Sequence, residues 1–391
     1  MLRVLTLSSL FPDARRPHFG IFVERQTRGL AGFSDVEVQV VAPLGVPPWP
    51  LRKLARYRTL DTLPEHETWR GLDVRRPRFL DLPAIGGRFH AQLLAHALVP
   101  LLERIRRDFA FDLIDAEFFF PDGPAAVSLG RRFGVPVSIK ARGGDIDRWG
   151  HVPGVGAQVI AAGQAADGLL AVSESMRREM IALGLPEHIE VSSTGVDQRR
   201  FALRDRAAAK ANFGVSGPLV VSLGALIPLK GHDITIDAVA GLPGVSLLIA
   251  GQGPEQARLQ ARIARLGLGD RIRLLGPVPH AEIPELLGAA DVMALASCSE
   301  GLANAWVESL ASGTPIVIPD VGGAREVLLD ERAGRIVERT PEAFRAAIAA
   351  LLADPPPPDQ VTQAARRFTW EANAQHLRGY FQRLVERYHA R

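Results

Sequence analysis

The chain has 391 residues, of which 47% are hydrophobic and 23% are charged. These values are typical of a globular protein and exclude a disordered tail or a fibrous protein, and the length favours two or three domains. The lone cysteine, Cys298, excludes an internal disulfide and a cysteine-based metal site. The formal net charge of +3 gives no reason to expect nucleic acid as a partner.

The first apolar run of the chain, residues 4–11, is too short for the apolar core of a secretory signal and precedes Arg15 and Arg16. We therefore interpret it as a buried first strand. No stretch approaches the ~20 apolar residues that span a bilayer. The sequence predicts a cytoplasmic protein.

Short apolar runs rich in β-branched residues alternate with helical patterns along most of the chain. A first series of strands is predicted at residues 4–8, 36–41, 112–116, 135–140, 168–172 and 189–192. A second series is predicted at residues 219–223, 245–250, 272–275, 292–295, 316–318 and 334–337. Helices are predicted between them, for example at residues 22–31, 124–133, 175–183, 254–266 and 305–311. Because buried strands separated by helices are typical of parallel sheets, the predicted fold class is α/β, with two doubly wound, Rossmann-like domains.

The domain boundary is predicted near residues 193–205, where strand character gives way to a turn-rich, charged stretch. The N-terminal domain then covers residues 1–195 and the C-terminal domain residues 196–369. A proline run at residues 355–358, which is incompatible with a helix or an inner strand, precedes a last helical segment. Residues 47–107 interrupt the alternation with weak strand signals and are predicted to form a variable loop region with a binding role.

Two glutamates follow the predicted strand at residues 292–295, in the segment SEGLANAWVESLASGTPIVIPDV. Glu300 opens a glycine-containing turn, and Glu308 is expected two turns into the next helix. Ligands of parallel sheets bind at the carboxyl ends of strands, and a helix N-terminus there favours an anion. We expect backbone N–H groups at residues 301–304 to face a phosphate or sugar and the glutamates to accept hydrogen bonds from hydroxyls. Alternatively, Glu300 caps the helix and Glu308 is a solvated surface residue.

Two more predicted strand ends in the same half of the chain carry glycine turns. Residues 223–232 read LGALIPLKGH, where Lys230 stands at the start of a helix. This is a natural position for a diphosphate contact, or alternatively for a surface lysine near a cap. Gly251 and Gly253 form the other strand-to-helix turn. Three such loops in one half indicate a nucleotide site.

The N-terminal half has its own candidate loops at predicted strand ends. Gly20, in the segment PHFGIFVER, either lets the backbone approach a phosphate or forms an ordinary turn. Residues 141–147, ARGGDID, gather Arg142, Asp145 and two glycines. Asp122 is interpreted as a helix cap.

Other chemistries lack their motifs in this sequence. It contains no G-x-x-x-x-G-K-[ST] loop, no G-x-G-x-x-G at the N-terminal turn, no histidine pair with metal-ligand spacing and no G-x-S-x-G elbow. The motifs therefore argue against a P-loop enzyme, a dinucleotide-binding dehydrogenase and an α/β-hydrolase.

The order of these segments resembles the retaining, GT-B-fold glycosyltransferases of family 4 over nearly the whole chain. The segment SEGLANAWVESLASGTPIVIPDVGGAREVL is similar to the family's E-G-x-x-x-x-x-x-E signature and glycine pair, and LGALIPLKGHDITIDA, LIAGQGPE and RIRLLGPVP follow the family order. The closing RRFTWEANAQHLRGYF implies a helix, residues 370–391, that returns to the N-terminal domain. The opening FPDARRPHFGIFVERQ resembles a bacterial subgroup linked to cell-surface polysaccharide synthesis.

The resemblance implies a nucleoside diphosphate sugar as donor, bound mostly by the C-terminal domain in a cleft, and a glycan or lipid-linked acceptor bound by the N-terminal domain. Lys230 would bind the diphosphate, Glu308 the ribose and Glu300 the transferred sugar, with no cofactor and no metal ion. Retention implies that the leaving phosphate takes the acceptor's proton on the same face. The implied donor-binding residues are Gly20, Gly224, Lys230, Gly251, Val278, Glu300, Gly301, Leu302, Ala303, Asn304 and Glu308.

Two departures from the family pattern affect the catalytic candidates, which are Glu300, Lys230, Arg142 and Asp145. Ala225 stands where the family usually has an arginine for the diphosphate. Arg142 begins the sequence RGGD where many relatives have His-Gly before an aspartate. We therefore expect Arg142 to contact either the diphosphate or an anionic acceptor.

The sequence thus predicts a glycosyltransferase of exopolysaccharide or cell-envelope glycan synthesis that uses a UDP- or GDP-sugar. A nucleotide-sugar epimerase or a phosphorylase of the same fold is the alternative enzyme. A third possibility is a non-catalytic protein that binds sugar nucleotides, since Ala225 stands where the family usually has a cationic arginine.

The small net charge hides a basic region in the irregular part of the first domain. Residues 52–107 contain 12 basic and six acidic side chains. Within residues 49–58, the apolar side chains of Trp49, Leu51, Leu54 and Tyr57 interleave with basic residues. This pattern suits either a segment that binds an anionic membrane, at the inner face of the cell membrane, or a solvated arginine-rich loop.

Overall fold

The computed structural model describes residues 1–54, 59–82 and 86–391. Two compact units make up the chain: Met1–Thr194 together with Trp370–Arg391 (unit 1), and Gly195–Thr369 (unit 2). Both units are α/β. Among the described residues, no helix combines the length and the apolar character needed to cross a bilayer.

The strands and helices alternate along most of the chain. The strands are β1 (Leu2–Leu7), β2 (Val36–Val41), β3 (Leu44–Val46), β4 (His66–Trp69), β5 (Leu72–Arg75), β6 (Arg78–Leu80), β7 (Leu113–Ala116), β8 (Val137–Ala141), β9 (Gly168–Ala171), β10 (Ile189–Val191), β11 (Leu219–Leu223), β12 (Ser246–Ala250), β13 (Ile272–Gly276), β14 (Val292–Ala294), β15 (Ile316–Pro319) and β16 (Gly334–Val337). The α-helices are α1 (Ile21–Ala31), α2 (His90–Asp108), α3 (Asp122–Phe133), α4 (Gly144–Asp147), α5 (Gly156–Ala165), α6 (Glu174–Ala182), α7 (Arg206–Asn212), α8 (His232–Ala240), α9 (Gln256–Arg265), α10 (Ile283–Ala289), α11 (Asn304–Ala311), α12 (Ala324–Val327), α13 (Pro341–Ala353), α14 (Pro358–Gln363) and α15 (Trp370–His389). All twelve predicted strands are confirmed.

Unit 1 is built on an eight-stranded sheet in the order β10-β9-β8-β7-β1-β2-β5-β4. Every neighbouring pair is parallel except β4 and β5, so the carboxyl ends of seven strands share one edge. Helix α15 belongs to this unit because Leu377, Tyr380 and Phe381 are buried in one core with Leu2 and Val4 of β1. The last helix therefore packs on the N-terminal unit.

The prediction of a loop region at residues 47–107 was wrong. This stretch supplies β4 and β5, which extend the main sheet beyond β2, and helix α2. Leu72 and Val74 of β5 are buried, whereas Asp73 and Arg75 between and after them are partly exposed. Strands this short and half-polar have no continuous apolar run, which is why their sequence signal is weak.

Unit 2 is built on a six-stranded, all-parallel sheet in the order β13-β12-β11-β14-β15-β16. Its core contains Val220, Ile249, Val292 and Val317 from the central strands, together with Phe344 of α13. Pro358 begins α14, contrary to the expectation that residues 355–358 exclude a helix, because the first helical position needs no N–H donor. The loops after β11, β12 and β14 lie at the carboxyl edge of this sheet.

Candidate functional site

Lys230 and Glu300 form an ion pair at the carboxyl edge of the sheet of unit 2. The ammonium of Lys230 donates to Oε1 of Glu300, and the hydroxyl of Ser297 donates to the same oxygen at 2.6 Å. Both side chains are largely buried, at 19% exposed for Lys230 and 10% for Glu300. The structure thus brings together the two residues that the sequence predicted for separate parts of one ligand.

A glycine fixes the turn that presents Lys230. Lys230 ends a short 3-10 turn, Pro228–Lys230, and Gly231 follows it with a φ of +61° as the N-cap of α8. A Cβ at Gly231 would lie 2.1 Å from the carbonyl oxygen of Ala296, in the loop that also carries Ser297 and Glu300. Only glycine allows this approach between the two loops.

A second close backbone approach joins the loops after β11 and β12. Gly251 has a φ of +153°, and a Cβ there would lie 1.8 Å from the carbonyl oxygen of Gly224. The backbone N–H of Gly224 donates to the carbonyl of Ala250, and that of Gly251 donates to the carbonyl of Gly276, the last residue of β13. Gly224 and Gly251 therefore hold these loops together, whatever else they contact.

The turn between Glu300 and helix α11 packs against the glycine pair Gly322 and Gly323. The N–H of Gly323 donates to the carbonyl of Gly301 at 2.8 Å. A Cβ at Gly322, whose φ is +51°, would lie 1.9 Å from the carbonyl oxygen of Glu300. Leu302 is buried, and Ala303 is the N-cap of α11 without a side-chain cap. Glu300 does not cap this helix.

Glu308 is the fifth residue of α11, one turn from its start, whereas the sequence suggested two turns. Its Oε1 lies 3.1 Å from Nε2 of His280, so Glu308 is not a solvated surface residue. His280 is further held by the guanidinium of Arg200, which donates to its carbonyl at 3.2 Å, and by an edge contact with the ring of Phe201. Sequence reasoning named Val278, which is half-buried in the same loop, but missed His280 two residues later.

In unit 1, Arg142 is committed to an internal ion pair. Its guanidinium contacts the carboxylate of Glu117 and donates through Nε to the Glu117 carbonyl at 2.9 Å. Gln26 of α1 bridges the pair, since its amide donates to Glu117 and its Oε1 accepts from Arg142 at 3.3 Å. Arg142 is only 7% exposed, so a direct contact with a free anion would require it to leave Glu117.

Asp145 is an organiser of its loop. The fully buried carboxylate accepts backbone N–H groups from Arg142 at 2.9 Å, Gly143 at 2.8 Å and Phe119 at 3.1 Å. Burial raises the pKa of Asp145 even though these donors oppose the shift. Because both oxygens are bonded to backbone, this geometry supports a role for Asp145 in positioning its loop, and the catalytic role expected from the sequence stays a prediction.

A buried lysine that the sequence analysis passed over lies beside this cluster. Lys140, on β8, donates to Gln26 Oε1 at 2.6 Å and to Ser192 Oγ at 3.0 Å. Burial lowers the pKa of Lys140, whereas the neighbouring carboxyl of Asp115 has its pKa raised by burial. The signal that could have revealed it is a lysine inside a short, mostly apolar strand, VSIKA.

Gly20 and Asp122 shape the loop after β1. Gly20 is the N-cap of α1 with a φ of +67°, and a Cβ there would lie 2.3 Å from the carbonyl oxygen of Leu10. The interpretation of Asp122 as a helix cap was wrong, because it is the first residue of α3 and makes no cap bond. Its Oδ2 accepts instead from the backbone N–H of Ser9 at 2.8 Å and from the Ser9 hydroxyl at 3.1 Å.

Asp122 is expected to make the protein less stable as the pH rises from about 4 to 7. Burial raises the pKa of Asp122 to about 7, so in this window the folded state holds a proton that the unfolded state releases. The free energy of unfolding therefore falls with rising pH. Asp122→Asn removes this dependence on pH. Between pH 4 and pH 8 the wild type should lose up to about 4 kcal/mol of its free energy of unfolding that the variant does not lose. Denaturant unfolding at both pH values measures the difference, with the exposed Asp108→Asn as control; parallel pH profiles for Asp122→Asn and the wild type would contradict the prediction.

No cluster of three or more His, Cys, Asp or Glu side chains is arranged to hold a metal ion within residues 1–54, 59–82 and 86–391.

Two family profiles match the chain, one in each unit. Residues 20–200 match the family described as Glycosyltransferase Family 4. Residues 204–368 match the family described as Glycosyl transferases group 1.

Curated relatives are similar over long stretches. A D-inositol 3-phosphate glycosyltransferase from Segniliparus rotundus is 36% identical over 207 residues, which is 49% of this chain and 46% of the relative. A GDP-mannose-dependent alpha-(1-6)-phosphatidylinositol monomannoside mannosyltransferase from Mycolicibacterium smegmatis is 32% identical over 260 residues, 62% of this chain and 68% of the relative. The putative teichuronic acid biosynthesis glycosyltransferase TuaC from Bacillus subtilis is 28% identical over 82% of both chains. The matched part of this chain spans about half the length of the first of these relatives.

Solved structures share the fold across almost the entire chain. Sucrose-phosphate synthase from Thermosynechococcus elongatus superposes with a TM-score of 0.80 at 19% identity, covering 99% of this chain and 100% of that one. HepE from Anabaena, solved in complex with UDP, superposes with a TM-score of 0.75 at 20% identity, covering 98% and 100%. With the profile matches and the long alignments, these likenesses show that the chain belongs to glycosyltransferase family 4 and has the GT-B fold of two Rossmann-like domains.

Proposed function

We propose that the protein transfers a sugar from a nucleoside diphosphate sugar to an acceptor, with retention of configuration, in the synthesis of a cell-envelope glycan or exopolysaccharide. The observation that carries the proposal is the Lys230–Glu300 pair at the carboxyl edge of the sheet of unit 2. The matched relatives support it, since TuaC is named for teichuronic acid synthesis and the M. smegmatis relative for a mannosyl transfer. HepE, a structural neighbour, was solved with UDP and with UDP-glucose.

The donor's diphosphate binds between Lys230 and the N-terminus of α11. Lys230 then exchanges its contact with Glu300 for the phosphate oxygens, and Glu300 accepts hydrogen bonds from hydroxyls of the transferred sugar. Backbone N–H groups at residues 301–304 and the dipole of α11 stabilise the phosphate charge. Glu308, oriented by His280, accepts from the ribose hydroxyls, and Val278 lies along the base.

The reaction breaks the bond between the sugar's anomeric carbon and the terminal phosphate oxygen. The acceptor hydroxyl forms its bond to that carbon on the same face, and its proton passes to the departing phosphate. Lys230 and the amides of α11 offset the negative charge that grows on the leaving group, without a metal ion or other cofactor. In unit 1, Asp145 and Glu117 hold Arg142 in place on the acceptor side.

Nucleotide binding followed by turnover tests the donor assignment. UDP and GDP are first compared as ligands that raise the thermal midpoint, since a ligand bound only to the folded state stabilises it. The sugar nucleotides of the preferred base are then screened for consumption. The proposal expects one base to stabilise the protein and at least one of its sugar nucleotides to be consumed. If neither UDP nor GDP binds, the donor assignment is wrong.

We also propose that the protein works in the cytoplasm at the inner face of the cell membrane. Trp49 is 75% exposed, and Leu51 and Leu54 are exposed beside it. The ammonium of Lys53 lies 5.4 Å from the ring centroid of Trp49. Exposed apolar side chains next to cations favour binding to an anionic lipid surface. Of the predicted membrane segment, residues 49–58, positions 55–58 lie outside the described residues.

The segment is expected to bind vesicles through both charge and apolar contact. The full chain should sediment with vesicles that contain anionic lipid and much less with neutral ones. Trp49→Ser and Lys53→Gln should each reduce the bound fraction several-fold. Arg104→Gln, an exposed cation on α2, serves as the control and should bind like the wild type. Equal sedimentation with anionic and neutral vesicles would contradict the proposal.

A further inference from the structure

One buried histidine, His232, lies behind the residues proposed to bind the diphosphate and has no part in the proposed function. It is the first residue of α8 and is only 2% exposed. A Cβ at Gly224 would lie 3.6 Å from Cγ and Cδ of Lys230 and 3.8 Å from Nε2 of His232. The aliphatic part of Lys230 and the imidazole of His232 therefore both lie against the backbone at Gly224.

The two nitrogens of the His232 ring contact different partners. Nε2 lies 3.2 Å from the carbonyl oxygen of Ala225, and Nδ1 lies 3.0 Å from the hydroxyl oxygen of Ser222, which is buried on β11. A carbonyl oxygen can only accept, so the ring hydrogen belongs on Nε2. In the neutral ring, Nδ1 then accepts from the Ser222 hydroxyl. The contacts thus define one tautomer, with the hydrogen on Nε2.

The surroundings of His232 keep its ring neutral near neutral pH. Burial lowers the pKa of His232, and the charge of Lys230 acts in the same direction, whereas the carbonyl groups of Ala225 and Gly224 oppose the shift. A neutral imidazole has one donor and one acceptor, and Ala225 and Ser222 use both. His232 is therefore not a second cation for the diphosphate.

The carbonyl oxygen of Ala225 is held by two donors. The backbone N–H of Ile227 donates to it at 2.9 Å, and Nε2 of His232 is the second donor. Ala225 is itself exposed, and it follows Gly224, against which the Lys230 side chain lies. If this carbonyl turned outward, its partial negative charge would oppose the binding of a diphosphate beside Lys230.

We infer that His232 is a positioning residue for the diphosphate site. Its Nε2–H keeps the Ala225 carbonyl turned away from the bound phosphates, and its ring supports the loop against which Lys230 lies. The inference rests on the proposed glycosyltransferase function and adds to it a residue that does not touch the donor. It implies that a hydrogen-bond donor at the position of Nε2 matters more than the ring itself.

Two substitutions that introduce the same amide group separate the Nε2 donor from the rest of the side chain. Glutamine can place its N–H near the position of Nε2, whereas the shorter asparagine places it near that of Nδ1, out of reach of Ala225. Calorimetry measures binding of UDP or GDP, whichever the wild type prefers, and of the matching monophosphate. His232→Asn should weaken the diphosphate at least ~10-fold, and His232→Gln should bind it nearly as the wild type does.

The monophosphate distinguishes positioning from a general structural role. It lacks the terminal phosphate that Lys230 is proposed to face, so His232→Asn should weaken it much less than the diphosphate. The matched control is His188→Asn, at an exposed histidine, which should bind both nucleotides like the wild type. Equal weakening of both nucleotides by His232→Asn would indicate a structural role only and overturn the inference.

The tautomer provides a measurement that needs no variant. NMR of the ring nitrogens of the wild type should show His232 with its hydrogen on Nε2, and a hydrogen on Nδ1 would overturn the inference even if His232→Asn does not fold. Wild-type affinity in His232→Asn, or equal losses in His232→Asn and His232→Gln, would also refute it. These results leave the donor proposal standing when the wild type binds UDP or GDP. If it binds neither, the donor proposal and this inference both fail.

Discussion

Replacing Lys230 by methionine is expected to reduce sugar transfer at least ~100-fold in a protein that still folds. Methionine keeps the unbranched shape and most of the length of the side chain but removes its positive charge, which faces the negative charge that grows on the leaving phosphate. A single such donor typically contributes 10²–10³-fold. The loss should fall mainly on kcat, because the charge that Lys230 opposes increases in the transition state. Steady-state kinetics with the preferred donor shows how the loss is divided between kcat and KM.

Glu300→Gln provides the paired experiment. The two side chains are in contact, so the double variant should lose less activity than the product of the single losses. Glu342→Gln, an exposed glutamate in the first turn of α13, is the matched control and should be fully active. Turnover at the wild-type rate in either Lys230→Met or Glu300→Gln would refute the site assignment.

Gly322→Ala is expected to reduce activity by at least ~100-fold, although Gly322 was assigned no contact with the donor. A Cβ at this position would lie 1.9 Å from the carbonyl oxygen of Glu300 and 2.8 Å from that of Gly301. Both are backbone atoms, so the loop that carries Glu300 and leads into α11 must move. A displacement of about 1 Å at a reacting site can cost ~100-fold in rate.

Gly322→Ala combines two effects: a steric clash with the backbone of Glu300 and the strain of an alanine at a positive φ. The control needs a glycine with a positive φ at which a Cβ would not clash. Gly276 has a φ of +72°, and Gly267 has one of +67°, but a Cβ at either would meet no atom within 4 Å. Gly267→Ala should therefore lower the thermal midpoint slightly and leave kcat unchanged. If Gly322→Ala is as active as Gly267→Ala, the loop does not depend on this close approach.

The two sheets were predictable from the sequence, but the elements added at the edge of the first sheet were not. Strands such as Leu219–Leu223 and Ile316–Pro319 are buried on both faces and appear in the sequence as short, mostly apolar runs. His66–Trp69 and Leu72–Arg75 form an antiparallel edge with one half-polar face. The pairing of Leu72–Arg75 with β2 joins residues more than 30 positions apart in the chain, which no local sequence pattern records.

In the candidate site, the location of the residues was predictable from the sequence, but the side chains that they contact were not. Glu300 and Lys230 were found because strand-end loops meet at one sheet edge, a rule that needs only the order of elements. Their direct contact, across 70 residues of sequence, was not foreseen. His280 was missed because it follows no motif, and its role is visible only through its contact with Glu308.

In unit 1, Asp145 and Arg142 make buried contacts that their residue types alone do not reveal. Asp145 and Arg142 are reactive residue types after a strand, and the sequence pattern made both catalytic candidates. In the structure, the Asp145 carboxylate accepts hydrogen bonds from backbone N–H groups, and the Arg142 guanidinium contacts the carboxylate of Glu117. Gln26 then links this pair to Lys140, which forms a buried network behind the loop. Composition cannot distinguish an exposed arginine from one held inside such a network.

Release of nucleotide from a panel of UDP- and GDP-hexoses, by the wild type and by Lys230→Met, tests the central claim most directly. The account predicts that the wild type releases UDP or GDP from at least one sugar nucleotide, and that Lys230→Met does so at least ~100-fold more slowly. Nucleotide binding by the wild type without release from any sugar nucleotide would contradict it and indicate a sugar-nucleotide binding protein.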